Sequence, residues 1–291
     1  MSQPLRILEL SIPHATAQGT LEAAMQLPQR VAQAGFNTVY VLPWMKINRE
    51  MSTSPFAVVN HHAMEPSIGS LEEAINWIEC CHSNGLSVVL DMPLNHTSPS
   101  HSWTTTPGWY SKDHSGNMRA PLGTDWNDVV QLDHSKEDVS KACLNVLRFW
   151  IKCGVDGFRL DAASFIPSEI VANWIASVRL ESQRELHFWC DGHELANSCG
   201  YFSAYFNHDA FRKAKGREQS WNHLLNSYSE NAIFYLTNHD TLHAQRSPTV
   251  EWGADYELMR NVLVESNRHT MLSWSDWMNP EEYYSFMHRE S

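Results

Sequence analysis

Short apolar runs of strand length alternate with stretches of helical period along nearly all of the 291 residues. That is the pattern of parallel strands wrapped by helices. Residues 5–10 read as the first strand, 21–34 as the first helix, stopped by Gly35, and 38–42 as the second strand, closed by Pro43. The second helix opens at a capping box, Ser70-Leu71-Glu72-Glu73, carries Leu71, Ala74, Ile75 and Ile78 on one face and ends at Gly85. Strand three is 87–91, and helix three 137–152, with Gly154 as its stop. Strand four follows in the stretch Gly154 to Ala163, then a helix over 168–184, strand five at 186–190 and strand six at 201–205. Helices over 221–229 and 256–268 flank strand seven at 233–236, and strand eight is 271–274. Eight strands alternating with helices predict an α/β fold, a single (β/α)8 TIM barrel over 1–291. One connection breaks the rhythm: 96–134, between strand three and helix three, has no period and is rich in Ser, Thr, Pro, Gly and Trp. A connection this long predicts a functional loop or short inserted subdomain, on the strand C-terminal side where barrel sites form.

Strand four carries the first chemistry. Arg159 and Asp161 are two residues apart, so they share a face, and the guanidinium favours an ionised Asp161. Alone, the pair reads equally as a structural ion pair. The barrel adds Asp91, Asn95 and His96 after strand three, Asp191, His193 and Glu194 after strand five, and Asn238, His239 and Asp240 after strand seven, all expected at one rim.

A net charge of -12 disfavours nucleic acid or an anionic membrane surface and leaves a neutral or cationic ligand. Glu9 interrupts the only N-terminal apolar run, so no signal peptide is expected, and no stretch approaches the roughly 20 apolar residues of a membrane span. Six cysteines without CxxC spacing predict reduced thiols and a cytoplasmic protein.

Four motifs in order, Asp91-Met92-Pro93-Leu94-Asn95-His96, Gly157-Phe158-Arg159-Leu160-Asp161-Ala162-Ala163, Cys190-Asp191-Gly192-His193-Glu194 and Phe234-Tyr235-Leu236-Thr237-Asn238-His239-Asp240, resemble those of the α-amylase superfamily. These are retaining glycoside hydrolases and transglycosylases. Softer matches, including Ser54-Pro55-Phe56 and Asp125-Trp126-Asn127-Asp128, extend the resemblance over nearly the whole chain. It implies Asp161 as the nucleophile, Arg159 keeping it charged, Asp240 stabilising the transition state through sugar hydroxyls, His96 and His239 on the same ring, and Asp91 and Asn95 as supports. It implies a double displacement between carboxyl groups about 5 to 5.5 Å apart, on α-glucosides or malto-oligosaccharides. A catalytically weakened, carbohydrate-binding relative is the alternative. Metal-assisted chemistry by the His/Asp cluster is a third.

The acid/base stays open between two carboxylates. Asp191 directly follows the apolar run and has the position; Glu194 has the side-chain type and reach, and the reading leans to it. Phe56 stands where the family usually has a stacking Tyr. Ser164 and Phe165 follow Asp161 where starch-cleaving members tend to carry Lys and His, which weakens both long-starch cleavage and the family-typical calcium site. No cofactor is expected, with calcium near Asn95 as the one metal possibility. A chain ending near helix eight predicts a minimal barrel without the C-terminal β-sandwich. His61, His62, His101 and His114 lack ligand spacing and read as solvated loop residues. Trp103, Trp109 and Trp126 are either sugar platforms or the loop's own core, and Trp150 and Trp174 fall on packing faces.

Overall fold

The computed structural model describes residues 3–191, 195–205, 225–240 and 253–274. Eight parallel strands close into a barrel: β1 Arg6–Leu10, β2 Thr38–Val41, β3 Ser87–Pro93, β4 Gly157–Asp161, β5 His187–Asp191, β6 Gly200–Tyr205, β7 Ala232–Tyr235 and β8 His269–Ser273. Each strand pairs with its neighbours in sequence, and β8 closes on β1 through Leu8↔Leu272 and Glu9↔Ser273.

The period-two alternation divides the strands between two cores. Outward residues such as Leu8, Val39, Leu90, Phe158 and Phe188 join the large cluster under the helices, while Ile7, Tyr40, Val89, Trp189, Ile233 and Met271 fill the barrel interior. Two residues further along, the same inward faces turn polar. Glu9 follows Ile7, Asp91 follows Val89, Asp191 follows Trp189 and Tyr235 follows Ile233. A dry floor and a charged rim therefore come from one strand geometry.

Among the described residues, four longer helices, α1 Leu71–Ser83, α2 Glu137–Lys152, α3 Ser168–Glu181 and α4 Tyr256–Glu265, cover the outside. The capping box is present: Glu73 N–H donates to Ser70 Oγ at 3.2 Å, and Ser70 N–H donates to Glu73 Oε2 at 2.7 Å. The first predicted helix is instead two pieces, Leu21–Ala24 and Leu27–Gln33, divided just before Pro28, which has no N–H to continue the ladder. Residues 221–224 of the helix expected before strand seven lie outside the described residues.

Two short antiparallel pairs rise above the barrel: Met45–Ile47 with Val58–Met64, and His96–Thr97 with Val130–Gln131. The second ties both ends of the 96–134 segment together. Two histidines correct the sequence reading, because His61, on the Val58–Met64 strand, and His101, in the 96–134 segment, are buried rather than solvated. Their protons can be placed from the contacts. Trp103 N–H donates to His101 Nδ1 at 3.0 Å and His61 Nε2–H donates to Pro93 O at 3.0 Å, so His101 Nε2–H donates to His61 Nδ1 at 3.2 Å. Burial lowers the pKa of His61 to about 4 and of His101 to about 3, which keeps this relay neutral. Trp103 stacks on His61 and meets Trp109 edge-on, so these two belong to the segment's own core. His62 and His114 are both exposed, as a solvated reading requires.

Candidate active site

Arg159 organises the rim. It is 4% exposed, and its Nη1 donates to both oxygens of Asp91 at 3.0 Å and to Asp161 Oδ1 at 2.7 Å. Its Nη2 donates to Asp191 Oδ1. The register explains the convergence, since Asp91 on β3 stands directly beside Arg159 on β4, which stands beside Trp189, two residues before Asp191. One guanidinium thus holds three carboxylates from three adjacent strands. Tyr40 lies on the other side and donates its hydroxyl proton to Asp91 Oδ2.

The electrostatics follow from that crowding. Burial pushes the Asp91 carboxyl up to about 7, with Asp161 adding to the rise and Arg159 opposing it. Asp161 is also raised, first by burial and then by Asp191, again against the pull of Arg159. Asp91 and Asp161 therefore retain a proton closer to neutral pH than isolated carboxyls would. Just past Asp161 the backbone turns sharply, with Ala162 in the left-handed region at φ 49°. A non-glycine residue is held there only by its surroundings, and such turns cluster at functional sites.

His96 lies over Asp161, with Nε2 at 3.9 Å from Oδ2, and burial lowers its pKa to about 4, so the ring is neutral. His239 behaves oppositely. Burial alone would lower its pKa, but the charge of Glu9 and the 2.8 Å hydrogen bond from Nδ1–H to Glu9 Oε1 overcome this and raise it to about 9. Its Nε2 is 3.5 Å from Asp240 Oδ1, and Asn238 Nδ2 donates to Asp240 Oδ2 at 3.0 Å. Phe56 packs on His239 with ring centroids 5.4 Å apart. Trp126 leaves the inserted segment to meet His96 at 5.5 Å and Phe165 at 6.2 Å and is 37% exposed, so of the segment's three tryptophans it is the one at the rim.

A cavity of about 150 Å³ opens beside this cluster, lined by Glu9, Tyr40, Arg159, Asp191, His239 and Asp240 among others. The structure thus gathers Asp91, Arg159, Asp161, Asp191, His96, His239, Asp240 and Phe56, all expected from sequence. Glu194 and His193 lie outside the described residues. Glu9 and Tyr40 went unrecognised as site residues; the available signal was a single carboxylate inside the apolar run of strand one, and a tyrosine at an inward position of strand two.

The surroundings of Asn95 do not fit a calcium ion. Its Oδ1 accepts from Gln131 Nε2 at 3.4 Å, Gln131 Oε1 accepts from Arg119 at 3.0 Å, and its amide nitrogen lies 3.5 Å from His96 Nδ1. A guanidinium closes this network where a calcium cage needs oxygen ligands. Among the described residues no group of three or more His, Cys, Asp or Glu side chains is arranged to hold a metal. Nor, among them, is any helix long and apolar enough to cross a membrane.

Known proteins share both sequence and fold. The family described as "Alpha amylase, catalytic domain" matches residues 14–117 and 108–285. An α-amylase of Niallia circulans is 28% identical over 137 residues, covering 39% of this chain and 26% of that protein. An α-1,4-glucan:maltose-1-phosphate maltosyltransferase of Arcanobacterium haemolyticum is 26% identical over 296 residues, covering 84% of this chain and 42% of that protein. The chain therefore spans well under two thirds of these relatives. The crystal structure of an α-amylase from Lactobacillus plantarum superposes with a TM-score of 0.81 at 21% identity, covering 94% of this chain and 72% of the other, a likeness of fold.

Proposed function

The chain belongs to the α-amylase catalytic-domain family, and we propose that it is a retaining α-glycosidase or transglycosylase working by double displacement on α-glucosides or malto-oligosaccharides. The observation that carries this reading is the pair of carboxylates on adjacent strands, Asp161 and Asp191, hydrogen-bonded to the two terminal nitrogens of Arg159. A retaining mechanism needs one carboxylate to attack the anomeric carbon and one carboxylic acid to protonate the departing oxygen. Asp161, with Arg159 at 2.7 Å and His96 above it, is the nucleophile in this proposal. Attack by Asp161 forms a glycosyl ester and expels the leaving group; water or a second sugar, deprotonated by the acid/base, then releases the glycosyl unit. Asp240 and His239 bind hydroxyls of the reacting ring, which the small cavity accommodates at its floor.

For the acid/base, the reading from side-chain reach favours Glu194, while the place of Asp191 at the end of β5, directly after Phe188-Trp189-Cys190, supports Asp191. An aspartate is one methylene shorter, and a proton donor misplaced by about 1 Å costs on the order of a hundredfold in rate. An aspartate at the end of β5 is the specific observation behind the second reading, a sugar-binding relative with weakened catalysis. The discriminating experiment compares Asp191→Ala and Glu194→Ala on a glucoside with a good leaving group, with and without azide. The variant lacking the acid/base retains glycosyl-enzyme formation and is rescued by azide, giving an azide adduct of retained configuration. Asp161→Asn abolishes turnover. Full activity in Asp161→Asn refutes the mechanism; calorimetric sugar binding by a wild type without turnover decides for the second reading.

A further inference from the structure

Glu9 has no role in the chemistry above, yet it is 3% exposed inside the barrel mouth. A buried carboxylate needs a cation or several donors. Arg159 is already shared by Asp91, Asp161 and Asp191. The partner of Glu9 is His239, whose Nδ1–H it accepts at 2.8 Å across 230 residues of sequence. The contact uses one ring nitrogen, Phe56 packs on the ring, and the other nitrogen faces the cavity beside Asp240.

We propose that Glu9 is a positioning residue for sugar binding: by taking the Nδ1–H of His239 it fixes the ring against Phe56 and presents Nε2–H to a hydroxyl of the sugar. The inference rests on the saccharide reading of the cavity and adds a residue from β1 to it. A charge-assisted donor to a hydroxyl is stronger than a neutral one. The raised titration of His239, to about 9, supplies that charge. The groups facing the ring act together: Glu9 and Asp240 favour the cation, Arg159 opposes it, and Asp91 and Asp161 feel its charge. Removing Glu9's charge while keeping an acceptor isolates its contribution.

The test uses the full chain with Glu9→Gln and Glu9→Asp. In ¹⁵N-histidine NMR titrations without sugar, assigned by loss of the signal in His239→Asn, wild-type His239 stays protonated past pH 8. In Glu9→Gln it titrates near or below the ordinary histidine value of about 6.5, and Glu9→Asp recovers part of the shift. Calorimetry with maltotriose at pH 7.5 shows Kd weakened about tenfold in Glu9→Gln, a change of about 1.4 kcal/mol. In kinetic runs KM rises by a similar factor with kcat less affected. Titration of His239 near 6.5 in wild type, or an unchanged Kd in Glu9→Gln, overturns the proposal even if the enzyme turns over. A raised titration with no binding of maltotriose or any α-glucoside also overturns Glu9's role in binding, and that result locates the failure in the saccharide reading rather than in the Glu9–His239 pair.

Discussion

Replacing Gly157 by alanine tests the strand register on which the rim depends. Gly157 opens β4 directly opposite His187 of β5. A Cβ at this position would lie 1.9 Å from the carbonyl oxygen of His187, 2.7 Å from its carbonyl carbon and 2.8 Å from its nitrogen. All three are backbone atoms, so no change of rotamer relieves the overlap. The strands would have to part by about 1 Å or more, which carries ladder bonds beyond the roughly 3.2 Å limit of good N–H···O geometry. Among the bonds at risk is His187 N–H to Asp156 O at 2.9 Å. Overpacking costs about 1–3 kcal/mol, and each ladder bond lost adds about 1 kcal/mol, so Gly157→Ala is expected to lose about 2–4 kcal/mol. Arg159 and Asp161 follow two and four residues later on the same strand, so kcat/KM should fall about a hundredfold in whatever fraction folds. Urea unfolding followed by circular dichroism, with steady-state kinetics on an activated glucoside, provides the assay. A loss below 1 kcal/mol with unchanged kcat/KM would refute the close approach of β4 and β5.

Stability should depend on pH with two limbs of opposite sign. His61, His96 and His134 have pKa values lowered to about 4 and His101 to about 3, chiefly by burial. Their stabilising effect is complete above the unfolded value near 6.5 and is lost as pH falls through the folded values, to an upper bound of about 3 kcal/mol for each of the three near 4 and about 5 kcal/mol for His101. His239 is raised to about 9, so its contribution is complete below 6.5 and is lost as pH rises toward and through 9. Urea midpoints measured from pH 4.5 to 9.5 check both limbs, and Glu9→Gln should flatten only the alkaline one. Flat stability between pH 6.5 and 4.5 would contradict the buried neutral histidines.

The barrel was readable because burial on both sheet faces leaves strand-length apolar runs, and because glycines such as Gly35, Gly85 and Gly154 mark helix ends. The convergence of Asp91, Arg159, Asp161 and Asp191 followed from strand position alone, since inward residues near strand ends meet at one rim in a closed barrel. Three features escaped for different physical reasons. The break before Pro28 was masked by continuing apolar periodicity on both sides of it. The burial of His61 and His101 was hidden because polar loop sequence does not reveal that hydrogen bonds to Pro93, Trp103 and each other satisfy both rings. Glu9 was visible as the one carboxylate in strand one, but its partner is set by barrel closure rather than by local sequence.

Double displacement requires the Asp161 carboxylate to attack the anomeric carbon. Incubation with 5-fluoro-α-D-glucosyl fluoride, whose ring fluorine slows breakdown of a glycosyl ester, followed by proteolysis and mass spectrometry of the peptides, tests it. The predicted result is a single 5-fluoroglucosyl adduct on Asp161, absent in Asp161→Asn. Label on Asp191, Glu194 or Asp240 instead, or turnover of the reagent with no covalent species at any time, would contradict it.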